Sequence, residues 1–153
     1  MKFINSKRRE VQKITPNEEL LQEMFATCNH LYFDDMLKPI KIDIIESTDN
    51  YGEFHCNLND KTNELEDFKI AINISLPRTK SEYECTLLHE MIHYKIMSEI
   101  SQSTIKKSIW HKRNGNNDLA DKLLYQGNYA HTDKWKTMAE DINRIYHLNI
   151  HLR

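Results

Sequence analysis

Residues 81–100, SEYECTLLHEMIHYKIMSEI, carry the pattern that decides how the rest of the chain is interpreted. Ser81 and Glu84 have the spacing of a capping box, which predicts that a helix begins at this point. Apolar residues then recur at helical spacing and give the segment a wide apolar surface; they are Leu87, Leu88, Met91, Ile92 and Ile96. The stretch therefore predicts a helix that packs against the core over a broad face.

The same helix carries His89, Glu90 and His93 in the order HExxH. Residues four apart lie on one face of a helix, so both imidazoles can be directed at one ion, and zinc accepts such ligands at about 2.0–2.1 Å. A random order of these residues would give HExxH about one time in thirty. Its apolar flanks add weight, because two histidines and a glutamate are costly to bury unpaired. The pattern predicts a zinc site with Glu90 as the base that takes a proton from water.

A catalytic zinc site needs a third protein ligand and an open fourth position. His131 stands just before the predicted last helix, a good place to present a ligand from a rigid base. His111 lies in a less regular region and is a second candidate. The other histidines are His30, His55, His147 and His151. The residues alone leave His131 and His111 both open.

The remaining segments predict one α+β domain over residues 15–153, preceded by an arm at residues 1–14. A first helix follows Thr15, which can cap it, with Pro16 and Glu18 completing the signal. Alternating apolar residues in IKIDIIE, YGEFHCNL and FKIAINISL predict three short strands. NNDLADKLLYQGN is typical of a short helix closed by Gly127, and a last helix begins at about Asp133. The expected fold is an N-terminal helix, a small, mainly antiparallel sheet, the central helix and a C-terminal helix.

The composition excludes several classes of protein. The 153 residues include 21 Lys and Arg against 23 Asp and Glu, a net charge of −2, which gives no global reason to expect nucleic-acid binding. Three cysteines without C-x-x-C spacing argue against disulfides and a four-thiolate zinc site, and favour small buried hydrophobes. No signal peptide or long apolar run is present, so we expect a cytoplasmic protein with no membrane partner.

Several blocks in order resemble the SprT-like family of zinc metallopeptidases, relatives of the Spartan protease. They are CNHLYFDDMLKPIKI, YGEF, IAINISL, TLLHEMIHY and AHTDKWKTMAEDINRIYHLNI, and the resemblance spans about residues 15–150. It implies a zincin-like fold and one Zn²⁺ per chain, held by His89, His93 and His131. It also implies that Trp135 is a packing aromatic and that Asn143 is the family's helical asparagine.

Two departures from the family pattern stand out. Thr132 occupies the position where the family usually has glycine after the third histidine. The interval between His93 and His131 holds 37 residues, which predicts an insertion at about residues 105–128. We expect no zinc-ribbon tail of the kind that some members have.

The expected function is a zinc-dependent endopeptidase that acts on a protein or peptide substrate, with Glu90 as catalytic base. The strand at residues 68–75 could pair with an extended peptide. Tyr129 is a candidate for stabilising the oxyanion, although packing is the commoner role for such a tyrosine. The alternatives are a catalytically silent zinc-binding domain and a DNA-associated adaptor that uses residues 106–113, KKSIWHKR, to contact phosphates.

Overall fold

The computed structural model describes residues 12–129 and 133–152, with side chains described except at 125–129. This part of the chain is an α+β fold with five helices and a small mixed sheet. The elements in chain order are β1 (Lys13–Ile14), α1 (Glu18–Phe33), β2 (Ile42–Ile45), β3 (Gly52–Asn59), β4 (Glu64–Asn73), β5 (Arg78–Thr79), α2 (Lys80–Ser98), α3 (Gln102–Arg113), α4 (Asn117–Tyr129) and α5 (Asp133–Tyr146). None of the helices within these residues is long and apolar enough to cross a membrane.

The main sheet has the order β2–β4–β3, with β4 in the centre. β3 and β4 form an antiparallel hairpin, whereas β2 runs parallel to β4. The prediction of a mainly antiparallel sheet was therefore wrong in its detail. Alternating hydrophobicity identifies a strand, but it does not say which strand will be its neighbour or in which direction the neighbour runs.

Helix α1 begins two residues later than the capping signal at Thr15 predicted. Asn17 is the N-cap, and its Oδ1 accepts a hydrogen bond of 2.8 Å from the main-chain N–H of Leu20. Asparagine is as good a cap as threonine, so the sequence offered two competing starts. Pro16 consequently precedes the cap instead of occupying the first helical position.

Helix α2 begins two residues earlier than predicted. Thr79 is the N-cap and forms a capping box with Glu82, so the predicted box of Ser81 and Glu84 was wrong. Thr79 also belongs to β5, which pairs with β1 at Lys13–Ile14. This long-range pairing holds the backbone extended up to Thr79 and thereby selects the earlier start. It also shows that the last residues of the predicted arm are paired.

One apolar cluster joins the sheet to α1, α2 and α5. Its most deeply buried members include Leu21, Phe25, Ile70, Ile72, Leu87, Leu88, Met91, Ile92 and Trp135. The broad apolar face predicted for the central helix is confirmed. All three cysteines are free thiols; Cys28 and Cys85 are buried as expected, and Cys56 is half-buried.

Helices α3 and α4 form a hairpin where the sequence predicted a less regular insertion. Ile105 and Ile109 of α3 pack against Leu124 of α4 in a second, smaller apolar cluster. Gly115, with a φ of 79°, lies in the turn between them. α4 continues past Gly127 to Tyr129, so the predicted end of this helix was wrong.

Candidate metal centre

Helix α2 brings the two predicted histidines together on one face. The ring centroids of His89 and His93 are 5.2 Å apart. His93 is 3% exposed and Glu90 is 6% exposed, while His89 is half-buried. His89 therefore lies at the boundary between the core and the surface, whereas Glu90 and His93 are buried.

A main-chain carbonyl orients the ring of His89. The Nδ1 atom of His89 lies 3.0 Å from the carbonyl oxygen of His151, in the segment that follows α5. Because a carbonyl oxygen can only accept a hydrogen bond, Nδ1 must carry the proton. The lone pair of a neutral imidazole in this tautomer is on Nε2, as in most zinc-binding histidines whose other nitrogen donates to a carbonyl or carboxylate.

Trp135 packs against both imidazoles. Its ring centroid is 4.6 Å from that of His89 and 5.4 Å from that of His93, and the side chain is fully buried. Its Nε1 donates a hydrogen bond of 3.4 Å to the main-chain oxygen of His89. Trp135 therefore has the packing role that the resemblance implies. Its contacts place the first turn of α5 beside the histidine pair.

A cleft of about 190 Å³ opens onto His89 and Glu90. Its lining comprises Asp49, Asn50, Tyr51, Gly52, Thr86, His89, Glu90 and His151. Gly52, at the start of β3, allows the close approach, because a Cβ there would lie 3.0 Å from Thr86 Cγ2 and 3.2 Å from Glu90 Cγ. The start of β3 and the loop before it thus form the wall opposite α2.

The carboxyl group of Glu90 is strongly affected by its surroundings. Burial, together with a smaller effect of the neighbouring carboxylate of Glu53, raises its pKa to about 8. Low-dielectric surroundings disfavour the charged form of an acid, which is the sense of this shift. A divalent cation at the histidine pair would act in the opposite sense and favour the carboxylate.

No third candidate ligand lies with His89 and His93 among the residues that the structure describes. His131 lies outside them, as does Thr132. Within residues 12–129 and 133–152, no group of three or more His, Cys, Asp and Glu side chains could hold a metal ion. His111, which lies on α3 with its ring 4.9 Å from that of Trp110, is therefore not brought to His89 and His93.

The donor set nevertheless suits zinc. Two imidazoles one helical turn apart are its common ligands, and the hydrogen bond at Nδ1 of His89 is the usual support for such a ligand. α5 begins at Asp133, two residues after His131, and contacts both imidazoles through Trp135. Tyr129 ends α4, and its side chain is outside the described part of the chain.

Asn73 is a site-shaping residue that the sequence analysis missed. Its Nδ2 donates to the carbonyl oxygens of Ser47 at 2.8 Å and Asn50 at 2.7 Å. Its Oδ1 accepts from the main-chain N–H groups of Ser47 and Ser75. This buried amide holds the 47–50 loop, which forms one rim of the cleft. Its position at the end of β4 gave no local signal, because its partners in the 47–50 loop are more than twenty residues away.

Arg78 and Tyr51 were missed for the same reason. The guanidinium of Arg78 lies 4.1 Å from the ring centroid of Tyr51, which stands at the rim of the cleft. Its Nη1 donates to Thr86 Oγ1 at 2.7 Å. A buried arginine thus joins the rim to helix α2, one turn before Glu90.

Comparisons with models of protein families, with curated proteins and with solved structures found no match to this chain. The functional interpretation therefore depends on the geometry of the site.

Proposed function

We propose that the chain is a zinc-dependent endopeptidase in which His89, His93 and His131 bind the metal and Glu90 is the general base. The observation that carries the proposal is the pair of imidazoles one helical turn apart, with His89 and the buried carboxyl group of Glu90 lining a cleft. A structural zinc site has no need of an adjacent base and is closed by four protein ligands. The presence of Glu90 in the cleft therefore favours catalysis over a silent site.

Each residue has a distinct part in this proposal. His89 presents Nε2, because its Nδ1 proton is held by the His151 carbonyl. His93 is stacked against Trp135, which restricts its ring. Zinc, when bound, supplies Lewis acidity towards a water molecule and the peptide carbonyl. Glu90 accepts the proton of the attacking water and passes it to the leaving amine.

Strand β3 supports an alignment of the substrate. Among the described strands of the main sheet, β3 has a neighbour on one side alone, while β4 is paired on both sides. The prediction that the strand at 68–75 pairs with a peptide was therefore wrong, because most of that strand is the central β4. An extended peptide added along β3 would pass Gly52 and reach the cleft beside Glu90.

The test compares Glu90→Gln with Glu99→Gln, the same change at the exposed end of α2. Glu90→Gln should bind zinc at the wild-type stoichiometry and cleave unfolded casein at least about 100-fold more slowly, the usual contribution of a general base. Glu99→Gln should bind zinc and cleave casein like the wild type. Casein cleavage by Glu90→Gln at the wild-type rate, or a wild-type protein without zinc, would refute the proposal.

Metal content also separates the two candidate third ligands. His131→Ala should lose zinc in dialysis against a weak chelator, whereas His111→Ala should retain it. If His131→Ala retained zinc and His111→Ala lost it, His111 would be the third ligand instead of His131.

A nucleic-acid-associated adaptor is a second candidate, favoured by α3. This helix has no acidic residue, and its exposed side chains include Lys106, Lys107, Lys112, Arg113 and a 61% exposed Trp110. Lysine and arginine bind phosphates, and an exposed tryptophan can stack on an unpaired base. A gel shift with single-stranded DNA that weakens steeply between low and high salt would support this function, and no shift at low salt would exclude it.

A further inference from the structure

The segment after α5 folds back onto the helix that precedes it. His147 has a φ of 55°, in the left-handed region, which turns the chain at the end of α5. The main-chain N–H of Leu148 then bonds to the carbonyl oxygen of Asn143 at 3.2 Å. The chain consequently runs back towards the histidine pair on α2.

The side chain of Asn143 clamps this returning segment at one residue. Its Oδ1 accepts a hydrogen bond of 2.7 Å from the N–H of Ile150, and its Nδ2 donates one of 3.1 Å to the Ile150 carbonyl. A side-chain amide has a donor and an acceptor, so it can satisfy both main-chain groups of one residue. The Ile150 side chain is fully buried in the core, so the segment is held both by packing and by the clamp.

The clamped residue adjoins the carbonyl that orients His89. The His151 carbonyl accepts the hydrogen bond from His89 Nδ1, and it is one peptide unit beyond Ile150. The contact uses the main chain of His151, whose own side chain is exposed. A displacement of Ile150 would therefore move the acceptor away from the imidazole.

We infer that Asn143 is a positioning residue for the candidate metal centre: its amide holds Ile150 so that the next carbonyl keeps His89 in the Nδ1-protonated tautomer. The role of Asn143 in the tautomer depends on the chain alone. Its consequence for zinc rests on the proposed function, because an imidazole fixed in this tautomer presents Nε2 to the metal. Loss of such a supporting contact typically weakens metal binding about 10–100-fold.

The first test reads the tautomer of His89 in the metal-free protein. Nitrogen-15 NMR of the imidazole, at a pH where histidine is neutral, should show the Nδ1-protonated form in the wild type. Asn143→Asp retains the acceptor for the Ile150 N–H but cannot donate to its carbonyl, and Asn143→Ala removes both contacts. Both variants should show a mixture of tautomers. Asn143→Asp is the milder change, so the tautomer of His89 can be measured in this variant if Asn143→Ala does not fold.

Two control variants separate the main-chain contact from side-chain effects. His151→Ala keeps the carbonyl, so the wild-type tautomer of His89 should persist. Asn149→Ala removes an exposed amide from the same segment and should leave both the tautomer and zinc affinity unchanged. An altered tautomer in His151→Ala would mean that the His151 side chain positions the ring, and this would overturn the inference.

The second test measures zinc affinity by chelator competition. Asn143→Asp should bind zinc about 10–100-fold more weakly than the wild type and Asn149→Ala. Wild-type tautomer and wild-type affinity in a folded Asn143→Asp would refute the role of Asn143. If the tautomer changes but the wild type itself binds no zinc, the positioning role stands and the proposed function fails.

Discussion

Replacing Gly52 with alanine tests how closely β3 approaches the candidate site. An added Cβ would lie 3.0 Å from Thr86 Cγ2, 3.2 Å from Glu90 Cγ and 3.3 Å from the carbonyl oxygen of Ala71. The last of these atoms belongs to the backbone of the central strand and cannot move without disturbing the sheet. The new methyl group must therefore be accommodated by the two side chains of α2.

The expected cost follows from two opposing effects. The φ of Gly52 is not in the left-handed region, so alanine fits the backbone, and the lower entropy of the unfolded chain alone would stabilise by about 0.4–1 kcal/mol. Overpacking of a well-packed region costs about 1–3 kcal/mol. We expect a net loss of about 1–2 kcal/mol in the free energy of unfolding.

A double-mutant cycle with Thr86→Ser identifies the atom responsible. Serine lacks Cγ2 but keeps the hydroxyl group that accepts from Arg78 Nη1. Alone, Thr86→Ser should destabilise by about 0.5–1.5 kcal/mol, as expected for the loss of one buried methyl group. Combined with Gly52→Ala, it should cost nothing further, giving a coupling energy of about 1 kcal/mol.

The assay is urea denaturation followed by circular dichroism, with a chelator present so that metal binding does not contribute. A Gly52→Ala variant at least as stable as the wild type would refute the close approach of β3 to α2. If the losses in the free energy of unfolding are additive in the double mutant, Thr86 Cγ2 is not the group that clashes with the new methyl group.

Three further predictions concern other parts of the fold. Trp135→Ala should cost about 3–5 kcal/mol in urea denaturation, whereas Trp110→Ala, at an exposed position, should stay within about 0.5 kcal/mol; equal costs would contradict the packing described. Asn73→Asp should cost about 1–3 kcal/mol, because a carboxylate cannot donate to the two loop carbonyls, and an unchanged urea midpoint would contradict this. Burial raises the pKa of Cys56 to about 11, so less thiolate is present at a given pH. Alkylation of this thiol at about pH 8 should be roughly 100-fold slower in the native than in the unfolded protein, and should accelerate with pH up to about 11; equal native and unfolded rates would contradict the burial.

The central helix shows which structural features a local sequence pattern predicts. Apolar spacing in residues 81–100 predicted α2, and the i, i+4 spacing placed His89 and His93 on one face, as the structure has them. The start of α5 at Asp133 was also predicted from the sequence. These features depend on residues within a few turns of one another, so the sequence contains the information in one place.

The starts of α1 and α2 show which features a local sequence pattern does not predict. Each was displaced by two residues, because a neighbouring cap residue competed, and at α2 the pairing of β5 with β1 selected between the two caps. The parallel pairing of β2 with β4 likewise had no local signal.

From the sequence alone came helices α1, α2, α4 and α5, the three strands of the main sheet and the spacing of the motif on α2, whereas α3, β1 and β5 were not predicted. The tertiary structure alone decided which strand lies at the edge, which glycine faces Glu90, and which carbonyl orients His89. The division has a physical cause. Helical and strand periodicities arise from the geometry of adjacent residues, whereas strand order, burial and hydrogen bonds such as that between His89 and His151 depend on segments that meet when the chain packs.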